Sequence, residues 1–205
     1  VSDNEEIVLP FPGPIPSLGV TTHVSSTLLA SSMQSLRARG WFERYSALLP
    51  QAYRDQVLNT VVGEWLPIDC GEAHYSACDA LGLTAEEQTA MGRDAAKRVN
   101  ESFLGFLVKM ARSAGVTPWL VLPRSNALFQ RVLRGGGTQV IKLGPKEATI
   151  EVVGVTLLSI PYFRRAMLGM YEASVALFAE RVHIRSIPVG TSPITERFLM
   201  RVHWV

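Results

Sequence analysis

Cysteine is scarce in this chain. Only Cys70 and Cys78 occur in 205 residues, too few for the disulfide framework that holds small secreted domains together. They read as reduced thiols, and the expected compartment is the cytoplasm. Long hydrophobic runs are also missing, since no stretch approaches the ~20 consecutive apolar residues of a membrane helix. The N-terminal stretch VSDNEEIVLPFPGPIPSLG has acids where a secretory leader needs basic residues, and its prolines interrupt any apolar helical core. Neither a membrane span nor export is expected. Charge is modest, at 19% of residues with a formal net of +2. That net conceals an asymmetry: residues 1–114 hold 9 Lys+Arg against 13 Asp+Glu (−4), and residues 115–205 hold 11 against 5 (+6). The basic half lacks both aromatic interleaving and a helix-turn-helix, which argues against a nucleic-acid partner. Gly-x-Ser-x-Gly is absent too, and Ser25, Ser26, Ser31 and Ser32 read as a strand-to-helix junction rather than a nucleophile elbow.

What the chain does have is packing material. Hydrophobic residues make up 47% of it, the share of an ordinary globular domain large enough to be stable without staples. Residues 1–20 are set apart by Pro10, Pro12, Pro14 and Pro16, an extended, donor-poor segment, and residues 21–205 are expected to form a single α+β domain. From Ser26 a helical period carries Leu28, Leu29, Met33 and Leu36 as far as Gly40. A short helix is expected at about 51–65. Asp69 with Glu72, and Thr84 with Glu87, have the spacing of capping boxes. The second opens the longest helix, with Met91, Ala95, Val99, Phe103, Phe106 and Met110 on one stripe. Another helix is expected after Pro118, and a last one in IPYFRRAMLGMYEASVALFAE. There Gly169 sits inside the helix at a cost near 1 kcal/mol relative to alanine, which implies close approach by a neighbouring element or a ligand. Phe103, Phe106, Met167, Gly169 and Met170 are therefore the candidates for lining a pocket.

Gly135 to Gly137 raise the question of a phosphate cradle. A P-loop joins a strand to a helix and ends in Gly-Lys-Ser/Thr. Here the order is reversed: the glycines follow a predicted helix and lead into TQVIKLG and EATIEVVG, alternating runs with Gly144-Pro145-Lys146 as the turn between them. ERVHIRSIPV and TERFLMRVHWV complete an antiparallel sheet of about four strands in the C-terminal half, packed against a helical layer. In the last run Phe198, Met200, Val202 and Trp204 face one way.

Three constellations come closest to chemistry. Cys70, His74 and Cys78 bracket an imidazole with two thiols at i, i+4 and i+8. Eight helical residues rise about 12 Å, whereas two thiolates on one zinc lie within about 4 Å of each other, so the three are only weak metal candidates. His183 alternates with Arg181 and Arg185 on what could be a small anion-binding face. In the strap, Leu9, Phe11 and Ile15 are apolar residues held extended by prolines, a low-entropy segment for docking on this domain or on a partner. No catalytic set converges, and the residues identify no cofactor.

GEWLPID, MGRDAAKRV, TPWLVLPR, LRGGGTQVIKLG, AMLGMYEASVALF and RFLMRVHWV resemble, over roughly residues 24–205, a myxobacterial paralogous family of uncharacterised proteins. In topology the element order is also remotely similar to the ligand-binding fold shared by vinyl-reductase-like domains, haem nitric-oxide-binding domains and trafficking-complex subunits. That second resemblance implies a ligand-binding fold and brings no catalytic residues with it. By analogy it raises haem, for which His74 is the one helical imidazole able to serve as an axial ligand. The expected function is a non-catalytic sensor, adaptor or assembly module that binds a small apolar ligand or a protein, another copy of itself included. The alternative is a metal- or cofactor-dependent enzyme using the Cys70/His74 helix.

Overall fold

The computed structural model describes residues 5–98, 117–188 and 197–205. Phe103, Phe106 and the rest of the long-helix stripe beyond residue 98 lie outside them, as do residues 189–196 between the last two predicted strands. The main sheet has five antiparallel strands in the order β1-β5-β6-β8-β7. Four of them are the expected C-terminal strands: β5 (Gly137–Gly144), β6 (Glu147–Val153), β7 (Val182–Ile187) and β8 (Arg197–Trp204). The alternation of β8 is realised as read, with Phe198, Met200, Val202 and Trp204 all buried. The fifth strand, β1 (Glu6–Leu9), comes from the proline-rich segment and pairs with β5 from Glu6 opposite Lys142 to Leu9 opposite Val140.

A second, smaller sheet joins β2 (His23–Ser25), β3 (Trp65–Pro67) and β4 (Leu133–Arg134) in the order β3-β2-β4. The glycines after β4 carry the chain from this sheet to the main one. Gly135 and Gly136 have φ of 92° and 70°, and a Cβ on Gly136 would lie 2.7 Å from the Val153 carbonyl oxygen. The preceding helix has already ended at Phe129. The glycines therefore serve a backbone crossing and the start of β5, and the helix stop that the sequence suggested lies several residues earlier.

The helices are α1 (Ser26–Ala38), α2 (Phe42–Leu48), α3 (Gln51–Leu58), α4 (Ile68–Asp79), α5 (described over 85–98), α6 (Ser125–Phe129) and α7 (Pro161–Val175). Ser25 caps α1 by accepting from the Thr27 amide. The Thr84–Glu87 capping box forms: the Thr84 amide donates to Glu87 at 2.8 Å and the Glu87 amide to Thr84 at 3.2 Å. The Asp69–Glu72 box does not form, because Pro67 is the N-cap of α4. After residue 117 the expected helix is broken into two 3-10 turns, Pro118–Leu120 and Leu122–Arg124, and the five-residue α6. Pro118 and Pro123 each lie in the first turn of one of these pieces, where a missing N–H is tolerated; in the interior of a continuous helix Pro123 would remove a hydrogen bond and clash.

α5 and α7 cross with their backbones in contact. A Cβ on Gly92 would overlap the Ala166 carbonyl, and one on Gly169 the Thr89 carbonyl. The crossing is fastened by Arg93 to Glu172 at 2.9 Å and by Arg165 to Gln88 at 2.9 Å. Helix propensity and packing thus make opposite predictions for Gly169→Ala. Propensity alone would stabilise by about 1 kcal/mol, whereas overpacking costs about 1–3 kcal/mol or more. Gly169→Ala is expected to lower the urea midpoint of unfolding, and Gly92→Ala to do the same.

Candidate functional site

An apolar cavity of about 100 Å³ lies in the helical layer. α7 supplies Phe163, Met167, Met170, Tyr171, Ser174 and Val175 to its wall; Leu28 comes from α1 and Ala96 from α5. The remaining wall is the proline-broken segment, from Val121 and Leu122 through Leu128 and Phe129 to Leu133, and Arg131 is the one charged residue among the described lining. The hydroxyls are used locally. Ser125 donates to the Leu122 carbonyl at 2.7 Å and Ser174 to the Met170 carbonyl at 2.9 Å. Tyr171 lies 3.4 Å from Thr138, whose own hydroxyl donates to the Glu151 carbonyl at 3.1 Å.

Beside this cavity runs a sealed polar network. Tyr45 Oη lies 2.6 Å from His74 Nδ1, and Ser32 Oγ lies 2.9 Å from His74 Nε2. Cys78 Sγ is 3.7 Å from the same Nε2, and the Tyr162 phenol is coupled electrostatically to Cys78 and Ser32. α1, α2, α4 and α7 each contribute, and Tyr45, His74, Cys78 and Tyr162 are all at most 1% exposed. Burial pushes the His74 pKa down to about 3 and raises those of Tyr45 and Cys78. The imidazole is thus neutral, the thiol and phenols keep their protons, and both ring nitrogens are engaged. A neutral imidazole has one donor and one acceptor nitrogen, so this network satisfies it completely. A serine and a cysteine beside a histidine have the composition of a nucleophilic site, but without access for a substrate they form a hydrogen-bonded scaffold.

No protein-family model matches the chain, and neither does any curated protein. Solved structures do match it. An oxygen-binding H-NOX domain related to soluble guanylate cyclases superposes with a TM-score of 0.59 at 16% identity, over 88% of this chain and 94% of that one. An H-NOX domain in which haem distortion was probed gives 0.62 at 15% identity over 88% and 94%. The chain has an H-NOX-like fold. A single-substitution variant of the T. tengcongensis H-NOX domain gives 0.60 at 15% identity over 88% and 97%; at such identities the likeness is one of fold.

The H-NOX-like fold makes haem the group to test, and the described residues do not fit it. Pockets for drug-sized ligands span ~300–1,000 Å³, several times this cavity. An axial ligand would be a histidine, thiolate, thioether or phenol. His74 has no free nitrogen, Cys70 and Cys78 are buried with raised pKa values, and Tyr171 is engaged with Thr138. Among the described residues, only the Met167 and Met170 thioethers reach the cavity without another partner.

The sequence-derived site residues fall in different places. Met167 and Met170 line the cavity, whereas Gly169 abuts the Thr89 backbone on α5. Cys70, His74 and Cys78 share α4, and among the described residues no three His, Cys, Asp or Glu side chains converge as a metal site. His74 is completely buried because α2 and α1 close over it. Leu9, Phe11 and Ile15 are half-buried along the strap. His183 and Arg185 lie on edge strand β7, opposite His203 and Arg201; Arg201 donates to Glu147 at 2.7 Å and lowers its carboxyl pKa. Sequence reasoning missed Ser32, Tyr45, Tyr162 and Arg131. A signal for Ser32 was there: a serine among Leu29, Met33 and Leu36 on an apolar helix face has to be satisfied by something.

Because His74 resists protonation in the folded state and accepts it near pH 6.5 when unfolded, the unfolded state binds more protons between about pH 3 and 6.5. Stability is therefore expected to be insensitive to this group above pH 6.5 and to fall by about 1.4 kcal/mol per pH unit below it. Urea unfolding at pH 7 and pH 5 should show this slope, and His74→Gln should flatten it. At pH 7, Tyr45→Phe is expected to cost about 1–3 kcal/mol by leaving a buried ring nitrogen without its partner.

Proposed function

We propose that this chain is a non-catalytic sensor or adaptor module that holds a small apolar ligand in the cavity between α7 and the proline-broken segment 118–133. The observation that carries the reading is the cavity itself: apolar, built on an otherwise close-packed helical layer, with its hydroxyls bonded locally. Engineered cavities of about 150 Å³ lined by similar side chains stay dry and take up benzene or xenon. The H-NOX solved structures support a ligand-binding use of the fold, since one is described as oxygen-binding and another by the distortion of its haem. The enzyme alternative has less support, because His74 is buried and neutral and both cysteines are buried thiols with raised pKa values. No helix of the described residues is long and apolar enough to cross a membrane, and a cytoplasmic setting and membership of the myxobacterial paralogues belong to the same proposal.

Assembly is the second half of the proposal. β1 is an edge of the main sheet, Ile7 on it is 51% exposed, and Leu9, Phe11 and Ile15 leave part of their surface for a second copy of this chain. An unpaired strand edge is a template for such pairing. Removal of residues 1–17 is expected to lower the oligomeric mass measured by native mass spectrometry; an unchanged mass refutes self-association through the strap.

The ligand reading is tested with benzene. At about ten times its Kd it is expected to stabilise the protein by about 1.4 kcal/mol, or about 3–5 °C in Tm for a chain of this size. Met167→Trp, which fills the cavity, should abolish the shift while keeping the circular dichroism of the parent. The absence of any shift in the parent refutes the reading.

A further inference from the structure

The two edges of the main sheet are β1 and β7, and they carry charge of opposite sign. At the β1 edge Glu5, Glu6 and Ile7 are exposed, and at the β7 edge Arg181, His183 and Arg185 are exposed. We propose that a second copy of this chain adds its β1 to β7, so that the sheet continues from copy to copy with Glu5 of one beside His183 and Arg185 of the next. The inference rests on the reading of the strap as a self-association element and adds the surface that receives it.

Charge balance on the β7 side is the first ground. Arg185 lies directly opposite Arg201, and His183 opposite His203, and like charges in such positions destabilise a sheet. On the same face Glu147 pairs with Arg201 and Glu151 with Arg197, which leaves Arg185 in excess over the carboxylates of β6. Register is the second ground. Followed from strand to strand, Ile7 is level with Ile141, Thr149, Arg201 and Arg185, and Leu9 is level with Ser186. Four antiparallel pairings separate β1 from β7, so the two edges run in the same direction. A copy displaced along the sheet, perpendicular to its strands, therefore sets β1 parallel to β7 and keeps the helical layers on one side. Glu5, two residues before Ile7, then falls on the face and at the level of His183. Each strand is stopped by a proline at nearly the same height, Pro10 after Leu9 and Pro188 after Ile187. Sign is the third ground: β1 on β1, or β7 on β7, would bring like charges together, whereas β1 on β7 joins opposite ones. An interface made of two different edges leaves one of each unused in every pair, so association grows past the dimer.

The experiment is sedimentation velocity on the full chain between about 5 and 200 μM, a range suited to the weak affinity of a contact this small, for the parent, Glu5→Arg, Arg185→Glu and the double variant. The parent is expected to grow past the dimer mass as concentration rises, and about 1 M salt, where the Debye length falls to about 3 Å, to reverse that growth. Each single reversal is expected to weaken association at least about tenfold, and the double variant, which restores opposite charge at the contact, to recover most of it. Both positions are exposed, and Arg185→Glu sets a carboxylate opposite Arg201, so all variants should keep the parent's Tm within about 2 °C. A parent that stops at a discrete dimer, an effect of neither or only one reversal, or no recovery in the double variant overturns the β1-on-β7 contact. Self-association through the strap then still stands if removal of residues 1–17 lowers the mass. A parent that stays monomeric at every concentration takes the strap reading down and this inference with it.

Discussion

The bare-backbone crossing of α5 and α7 is the constraint on which the rest of the helical layer depends. Two helices come this close only where neither carries a Cβ at the contact, and Gly92 and Gly169 meet that condition from both sides. The position of α7 follows from it. That one helix delivers Tyr162 to the polar network and Phe163, Met167, Met170 and Tyr171 to the cavity, so the network and the cavity are set by a single packing event. Arg93–Glu172 and Arg165–Gln88 hold the same two helices at their rims. They add direction to a contact whose closeness comes from the glycines.

The polar network divides the helical layer into two kinds of interior. On one side, Tyr45, His74, Ser32 and Cys78 engage one another, with the Tyr162 phenol coupled to Cys78 and Ser32, all of them buried. Because an unpaired buried polar group is so costly, a network of this type fixes the mutual register of α1, α2, α4 and α7. On the other side the cavity has almost no directional demand. Fixed geometry beside adaptable space suits a module that retains its shape while a guest comes and goes, and it explains why residues that look reactive in the sequence belong to the rigid part.

Where the chain's own local chemistry determined the structure, that structure was readable in advance. The β5–β6 hairpin with its Gly144-Pro145-Lys146 turn, the alternation of β8, the start of α1 at Ser26 and its end before Gly40, and the Thr84–Glu87 box all follow from patterns within a few residues. What was hidden is non-local. β1 is four residues long and gains its meaning from pairing with β5 more than a hundred positions away. β2, β3 and β4 have three, three and two residues, too few to show a period of two. α2 went unread because Trp41 and Phe42 gave no capping signal. His74 is the instructive case. Its helix was correctly placed, and its spacing from Cys70 and Cys78 correctly argued against a shared metal, but its burial depends on Tyr45 and Ser32 from other helices, which no local pattern could supply. The cavity is legible only in part for the same reason: Met167 and Met170 announce an apolar face, while the empty space beside them arises from how α6 and the turns before it fail to fill the gap.

Those turns have a kinetic meaning. A continuous helix over 118–129 would tie each amide to a carbonyl one turn back, and opening it would break several bonds together. Pro118 and Pro123 instead divide the wall into pieces held by single i to i−3 bonds, such as Leu120 to Thr117 and Arg124 to Val121. Such pieces open separately and at small cost compared with the sheet. The cavity therefore has a wall whose pieces can open without unpairing β5, β6 and β8, so that on the proposed reading a guest would exchange on the timescale of loop motion rather than of unfolding.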